Sequence, residues 1–76
     1  MSINVRNKIV LKLFGQRLKR LRIEKKLTQE LLAYEADVEQ SQINRIENAK
    51  TNATPSNLSA IANALNISLS DLLKGV

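Results

Sequence analysis

The segment EQSQINRIENAK, residues 39–50, is rich in amide side chains, and its only large apolar residues are Ile43 and Ile46. In a helix these two isoleucines point to one side. The other side carries a polar face made of Gln40, Ser41, Asn44, Arg45 and Asn48. Glutamine and asparagine hydrogen-bond adenine, arginine hydrogen-bonds guanine, and serine either base. The pattern predicts a helix that contacts base edges; the alternative is a solvated helix, although such helices favour Glu and Lys over Asn and Ser.

The charge of the chain is positive and unevenly distributed. Twelve Lys and Arg against seven Asp and Glu give a formal net charge of +5. Before Leu27, Glu24 is the only acidic residue, and nine basic residues occur there: Arg6, Lys8, Lys12, Arg17, Lys19, Arg20, Arg22, Lys25 and Lys26. This distribution favours an anionic partner such as nucleic acid or a membrane surface, with a solvated helix face as the alternative.

Several chemistries are excluded by composition. The chain has no cysteine and no histidine, so it has no disulfide, no thiolate or imidazole metal ligand and no Ser-His or Cys-His pair. The carboxylates are not paired at a predicted cleft, which disfavours an enzyme. We therefore expect no catalysis, no metal, no cofactor and no small-molecule ligand. No apolar run approaches the ~20 residues that span a bilayer. The N-terminal stretch lacks a signal-peptide pattern, and we expect a cytoplasmic protein.

The apolar spacing predicts five helices in one all-α domain covering residues 1–76. The first carries an apolar stripe of Val10, Phe14, Leu18 and Leu21 and runs to about Lys26. The second follows an N-cap at Thr28, ends near Asp37 and buries Leu32, Ala33 and Ala36. The third runs from about Glu39 to Asn48 or Ala49. The fourth begins at Thr54 and Pro55, with Leu58, Ile61, Ala62 and Leu65 as its stripe. The fifth begins after Ser68, with Leu69, Leu72 and Leu73 as its apolar residues.

Four segments in order resemble the phage repressor and Cro family of helix-turn-helix proteins, also called the XRE type. They are LRIEKKLTQE before and into helix two, the IxRIE core of helix three (INRIE), the ENAK exit and the final ISLSDLL. Together they extend over about residues 14–73. The resemblance implies a five-helix, lambda-repressor-like DNA-binding domain. Its second and third helices form the helix-turn-helix, and the third lies in the major groove of double-stranded DNA.

The same resemblance assigns roles to individual residues. Gln40, Ser41 and Asn44 match base-contacting positions, and Arg45 matches a position that contacts a base or a phosphate. The matches to DNA-backbone contacts are Thr28, Gln29, Asn48, Lys50 and Thr51. Arg22 and Glu47 match a partly buried, structural ion pair. The family commonly has glycine where Asp37 and Ala49 stand, and serine where Glu39 stands.

Residues 1–13 precede the resemblance and are predicted as an N-terminal extension of helix one. Ile9, Val10, Leu11 and Leu13 exceed what one face of helix one needs. The segment could extend helix one across the domain, contribute to a dimer interface or contact a membrane surface. For a homodimer we also expect apolar residues of helix five at the interface: Leu69, Leu72, Leu73 and Val76.

Such a chain is similar to restriction-modification controller proteins and small phage repressors. The resemblance therefore implies a transcriptional regulator that binds a palindromic operator as a homodimer. An antitoxin that also binds a partner protein is an alternative. A protein-interaction module that kept the fold and lost DNA binding is another.

Overall fold

The computed structural model describes residues 5–76, with side chains from Asn7 onward, and it contains five α-helices. In chain order they are α1 (Val5–Glu24), α2 (Gln29–Ala36), α3 (Gln40–Glu47), α4 (Pro55–Ala64) and α5 (Leu69–Leu72). No strand occurs in this part of the chain. The predicted all-α, five-helix architecture is confirmed. α1 includes residues 5–13 of the predicted N-terminal extension, and residues 1–4 lie outside the described residues. That residues 1–76 form one domain stays a prediction.

Three helices begin directly after the hydroxyl residues that were predicted as their N-caps. The side chains of Thr28, Thr54 and Ser68 each accept a hydrogen bond from the backbone N–H three residues later, at 3.0, 3.1 and 3.0 Å. Each bond satisfies a donor that has no partner within its own helix. Pro55 lies in the first turn of α4, where its missing N–H costs nothing. These caps fix where α2, α4 and α5 start.

Each of the first four helices is followed, within two residues of its end, by a non-glycine residue with left-handed backbone geometry. The φ angles lie between 56° and 60° at Lys26, Asp37, Ala49 and Asn66. After α3, Ala49 N donates to Ile46 O at 3.1 Å and Lys50 N donates to Arg45 O at 2.8 Å. This bonding pattern closes a helix and favours glycine at the left-handed position, where other residues pay about 1 kcal/mol. This left-handed geometry explains why the family that the sequence resembles commonly has glycine at the positions of Asp37 and Ala49.

The core is formed by residues from all five helices, with α2 packed on α3 and α4, α1 on α3, and α4 on α5. Its largest fully buried side chains are Leu18, Leu32, Ile43, Ile46, Ile61, Leu65 and Leu72. On α1 the buried face starts at Leu11, which is 8 % exposed, whereas Val10 is 42 % exposed. The predicted stripe was wrong here, because Leu11 lies on the same side as Leu18 and Leu21. Leu11 is a core residue and not a surplus one.

The prediction that Leu72 belongs to a dimer interface is also wrong. Leu72 is completely buried, while Leu69, Leu73 and Val76 are 44 %, 37 % and 39 % exposed. α5 has a single turn, so only one of its leucines can point at α4, and Leu72 takes that position.

Among the described residues, no helix is long and apolar enough to span a bilayer.

Candidate nucleic-acid interface

α3 exposes the four residues predicted to contact bases. Gln40, Ser41, Asn44 and Arg45 are all exposed, while Ile43 and Ile46 behind them are 0 % and 1 % exposed. In the described part of the chain, the side chains of Gln40, Ser41 and Arg45 form no hydrogen bond or ion pair with another protein group. Their donors and acceptors are therefore available to a ligand. The structure brings all four together on one side of a single helix.

The residues predicted to contact the DNA backbone lie at the start of α2 and just after α3. Thr28 is exposed, and because its oxygen accepts the cap hydrogen bond, its own hydroxyl hydrogen can still be donated. Gln29 is the first residue of α2 and is half-buried. Lys50 is exposed and has no ion-pair partner among the described residues, and Thr51 is half-buried. Asn48 Nδ2 donates to the carbonyl oxygen of Asn44 at 2.9 Å.

The predicted ion pair between Arg22 and Glu47 is confirmed. Arg22 Nε donates to Glu47 Oε2 at 2.6 Å, and Arg22 Nη2 donates to Oε1 at 3.0 Å. The two side chains are 11 % and 2 % exposed. Arg22 Nη1 also donates to the carbonyl oxygen of Leu27 at 2.8 Å. The guanidinium thus connects α1, the turn before α2 and the end of α3.

Two further hydrogen bonds extend this pair toward the exposed surface. Gln29 Nε2 donates to Glu47 Oε1 at 3.0 Å, and Asn44 Nδ2 donates to Gln29 Oε1 at 3.2 Å. These two bonds could not be predicted from the sequence, because they depend on how closely α2 approaches α3 and follow no periodic pattern. Gln29, which is predicted to contact a phosphate, is therefore hydrogen-bonded to Asn44, which is predicted to contact a base.

Gly15 allows α1 to lie directly against the end of α3. A Cβ atom at Gly15 would be 2.6 Å from the carbonyl oxygen of Ile46 and 2.7 Å from that of Glu47. Both distances are well below van der Waals contact, and both neighbours are backbone atoms. The sequence pattern did not predict this contact. The glycine sets the separation of the two helices that the Arg22–Glu47 pair joins.

One acidic side chain stands at the start of α3. Glu39 is the N-cap residue, but its side chain makes no cap hydrogen bond, and it is exposed. A carboxylate at this position interacts favourably with the positive end of the helix dipole, and it can accept a hydrogen bond from a cytosine amino group.

No group of three or more potential metal-ligating residues occurs among the described residues.

Two short, mutually packed helices joined by a tight turn, with a polar exposed face on the second, define a helix-turn-helix protein. The chain belongs to the helix-turn-helix family HTH_3, whose family model matches residues 18–72. The resemblance to the repressor and Cro type is thereby confirmed. The matched region contains α2, α3, α4 and most of the core.

Individual relatives agree with this membership. The chain is 41 % identical over 64 residues to the control protein C.MunI of a Mycoplasma species, covering 83 % of this chain and 86 % of that protein. It is 42 % identical over 59 residues to the immunity repressor of Bacillus phage phi105, covering 78 % of this chain and 41 % of the repressor. The crystal structure of the restriction-modification controller protein C.AhdI from Aeromonas hydrophila matches with a TM-score of 0.80 and 37 % identity, covering 82 % and 94 % of the two chains.

Proposed function

We propose that the protein is a transcriptional regulator that binds double-stranded DNA sequence-specifically, with α3 in the major groove. The observation that carries the proposal is the exposed face of α3, where Gln40, Ser41 and Arg45 have no partner in the described structure. Such side chains match the donors and acceptors on base edges, and a helix of this kind fits the major groove. Because Ile43 and Ile46 on the opposite side of α3 are buried in the core, the polar face points to solvent.

The backbone contacts follow from the same orientation. Thr28 and Gln29 lie at the N-terminus of α2, where unpaired backbone N–H groups and the helix dipole favour a phosphate. Asn48, Lys50 and Thr51 follow α3 and are proposed to contact the backbone on its other side. The net charge of +5 supports binding to a polyanion.

The names of the relatives support a regulatory role, since they are control proteins and an immunity repressor. We further propose that the protein acts as a homodimer on a palindromic operator, because one domain contacts few base pairs and two-fold pairing doubles the site. The role requires no catalysis and no cofactor. We also propose that the protein lies with the DNA in the bacterial cytoplasm, whether a bacterium or a phage encodes it.

The test begins with selection of bound sequences from a random duplex pool, followed by competition binding against single-base variants of the selected operator. Gln40→Ala and Arg45→Ala should each weaken operator binding by about 1–3 kcal/mol where the side chain makes a bidentate base contact. Each should also relax the preference at one base pair in each half-site. Ser59→Ala, an exposed hydroxyl substitution on α4, is the matched control and should bind like the unaltered protein.

Salt dependence separates this proposal from a protein-interaction module of the same fold. Affinity for duplex DNA should fall with salt, with a logarithmic slope of about −0.9 for each phosphate neutralised. Lys50→Ala should weaken binding to all duplexes alike and reduce that slope by about one contact. If DNA binding is absent, or if the Gln40, Asn44 and Arg45 variants all keep the original base preference, α3 is not the helix that contacts bases.

A further inference from the structure

We infer that Glu47 fixes the orientation of the Asn44 side-chain amide through Gln29, so that Glu47 and Gln29 are positioning residues for base recognition. The inference rests on the proposed function, because it concerns how α3 distinguishes bases. It assigns Gln29 a second role beyond its proposed phosphate contact. The basis is the unbroken chain of hydrogen bonds from the buried Arg22–Glu47 pair to the exposed Asn44.

The first step is set by the chemistry of Glu47. Its Oε1 accepts from both Arg22 Nη2 and Gln29 Nε2, each at 3.0 Å. A carboxylate paired with arginine has acceptors only, so the NH2 end of the Gln29 amide must face it. A reversed amide would place the Gln29 oxygen against the carboxylate oxygen, in a site where the Glu47 side chain is 2 % exposed. The orientation of Gln29 therefore has one favourable state.

The second step transmits that orientation to Asn44. With its nitrogen on Glu47, Gln29 presents Oε1 to α3, and Asn44 Nδ2 donates to it at 3.2 Å. A reversed Asn44 amide would place the Asn44 side-chain oxygen against Gln29 Oε1, and the two oxygens would repel each other. Asn44 thus keeps its carbonyl oxygen and one N–H for another partner. One acceptor and one donor on the same amide match the N6 amino group and N7 of adenine.

The consequence concerns base preference. A freely rotating asparagine can exchange its donor and acceptor and so accommodates more than one base edge. An asparagine fixed from behind presents one arrangement and loses less conformational freedom on binding. We therefore expect part of the discrimination at the base pair contacted by Asn44 to depend on Gln29, which lies on a different helix.

The experiment compares five variants by competition binding against single-base operator variants at fixed salt. Asn44→Ala identifies the base pair concerned. Gln29→Ala should reduce the preference at that pair by about two- to tenfold, the usual worth of one hydrogen bond. Preferences at the pairs sensitive to Gln40→Ala and Arg45→Ala should stay unchanged. Lys50→Ala is the matched phosphate-contact control and should lower all affinities equally without changing any preference.

A change at Glu47 gives an independent readout. Glu47→Gln places an amide where the carboxylate was, so Gln29 can reverse, and the preference at the Asn44 pair should fall as in Gln29→Ala. Thermal unfolding of each variant shows whether the fold is retained. Gln29→Ala decides the question if Glu47→Gln does not fold, because Gln29 is half-buried in the first turn of α2 and outside the core.

The inference is overturned if Gln29→Ala weakens all duplexes equally, as Lys50→Ala does, while Asn44→Ala still changes its base pair. The proposed function would stand in that case. It is also overturned if Asn44→Ala changes no preference while the Gln40 and Arg45 variants do. Base contact by α3 itself is contradicted only if the Gln40, Asn44 and Arg45 variants all keep the original base preference.

Discussion

The carboxylate of Glu47 lies inside the protein, with 2 % of its side chain exposed, and takes two hydrogen bonds from Arg22 and one from Gln29. Removing one charge from such a pair leaves the other in a poorly hydrated site. Leaving one buried charge unpaired therefore destabilises the protein more than replacing both charged residues by apolar ones would. Arg22 also holds the carbonyl oxygen of Leu27, so its loss affects the turn before α2 as well.

We predict that Arg22→Ala and Glu47→Ala destabilise the protein more than any substitution of Gln40, Ser41 or Arg45. Breaking a fully buried pair costs ~3–5 kcal/mol, and the 11 % exposure of Arg22 places the cost at or below the lower end. Thermal and urea unfolding measure the effect. Arg20→Ala, an exposed arginine on the same helix, should unfold like the unaltered protein. Both single variants unfolding like the unaltered protein would show that the pair does not form in solution.

Individual residues were predictable to different extents. The exposure of Gln40 and Asn44 opposite Ile43 and Ile46 follows from helical periodicity alone, and the Arg22–Glu47 pair followed from the family resemblance. The bonds of Gln29 could not be predicted, since a side-chain amide can reach many partners and only the packing of α2 on α3 selects two of them. Leu72 was misassigned because its neighbours on a one-turn helix are equally apolar.

Helix starts were predicted better than helix contacts. Thr28, Thr54 and Ser68 carry their signal locally, in a hydroxyl followed by a backbone N–H three residues later. The contact of Gly15 with the end of α3 has no local signal, because nothing near Gly15 in sequence specifies which element approaches it. The same holds for Ala49, whose left-handed φ of 58° is unusual for alanine.

We predict that Gly15→Ala destabilises the protein although alanine is the better helix former. Alanine in a helix gains about 1 kcal/mol over glycine. A Cβ atom 2.6 Å and 2.7 Å from two backbone oxygens must push α1 away from α3, and such overpacking costs about 1–3 kcal/mol. The displacement should also weaken operator binding, because it moves α3. Thermal unfolding and operator titration measure the two effects.

Lys19→Ala is the control for the unfolding measurement, since Lys19 is exposed on the same helix and its replacement adds no atom between α1 and α3. An increase in the free energy of unfolding for Gly15→Ala would mean that α1 and α3 are farther apart in solution than in the structure.

Apolar residues of α1 and of the C-terminal residues line one groove at the surface. Val10 of α1 lines this groove, which encloses about 150 Å³, together with Leu73 and Val76, and Phe14 and Leu58 also line it. Apolar residues of the N-terminal segment and of helix five were predicted as interface residues. The structure places three of them, Val10, Leu73 and Val76, around the same groove. Exposed apolar clusters of this kind favour association with another surface.

We predict that the protein is a homodimer and that this groove contributes to its interface. The double variant Leu73→Gln and Val76→Gln should raise the dimer dissociation constant in sedimentation equilibrium, while Leu72 keeps the core intact. Tyr34→Gln, at a side chain 83 % exposed on α2, is the control and should leave the constant unchanged. On DNA, the dimer should require half-sites about 10 bp apart, and the double variant should lose that dependence on spacing. A protein that is monomeric both in solution and on its operator contradicts the prediction, because no second copy would then cover the groove.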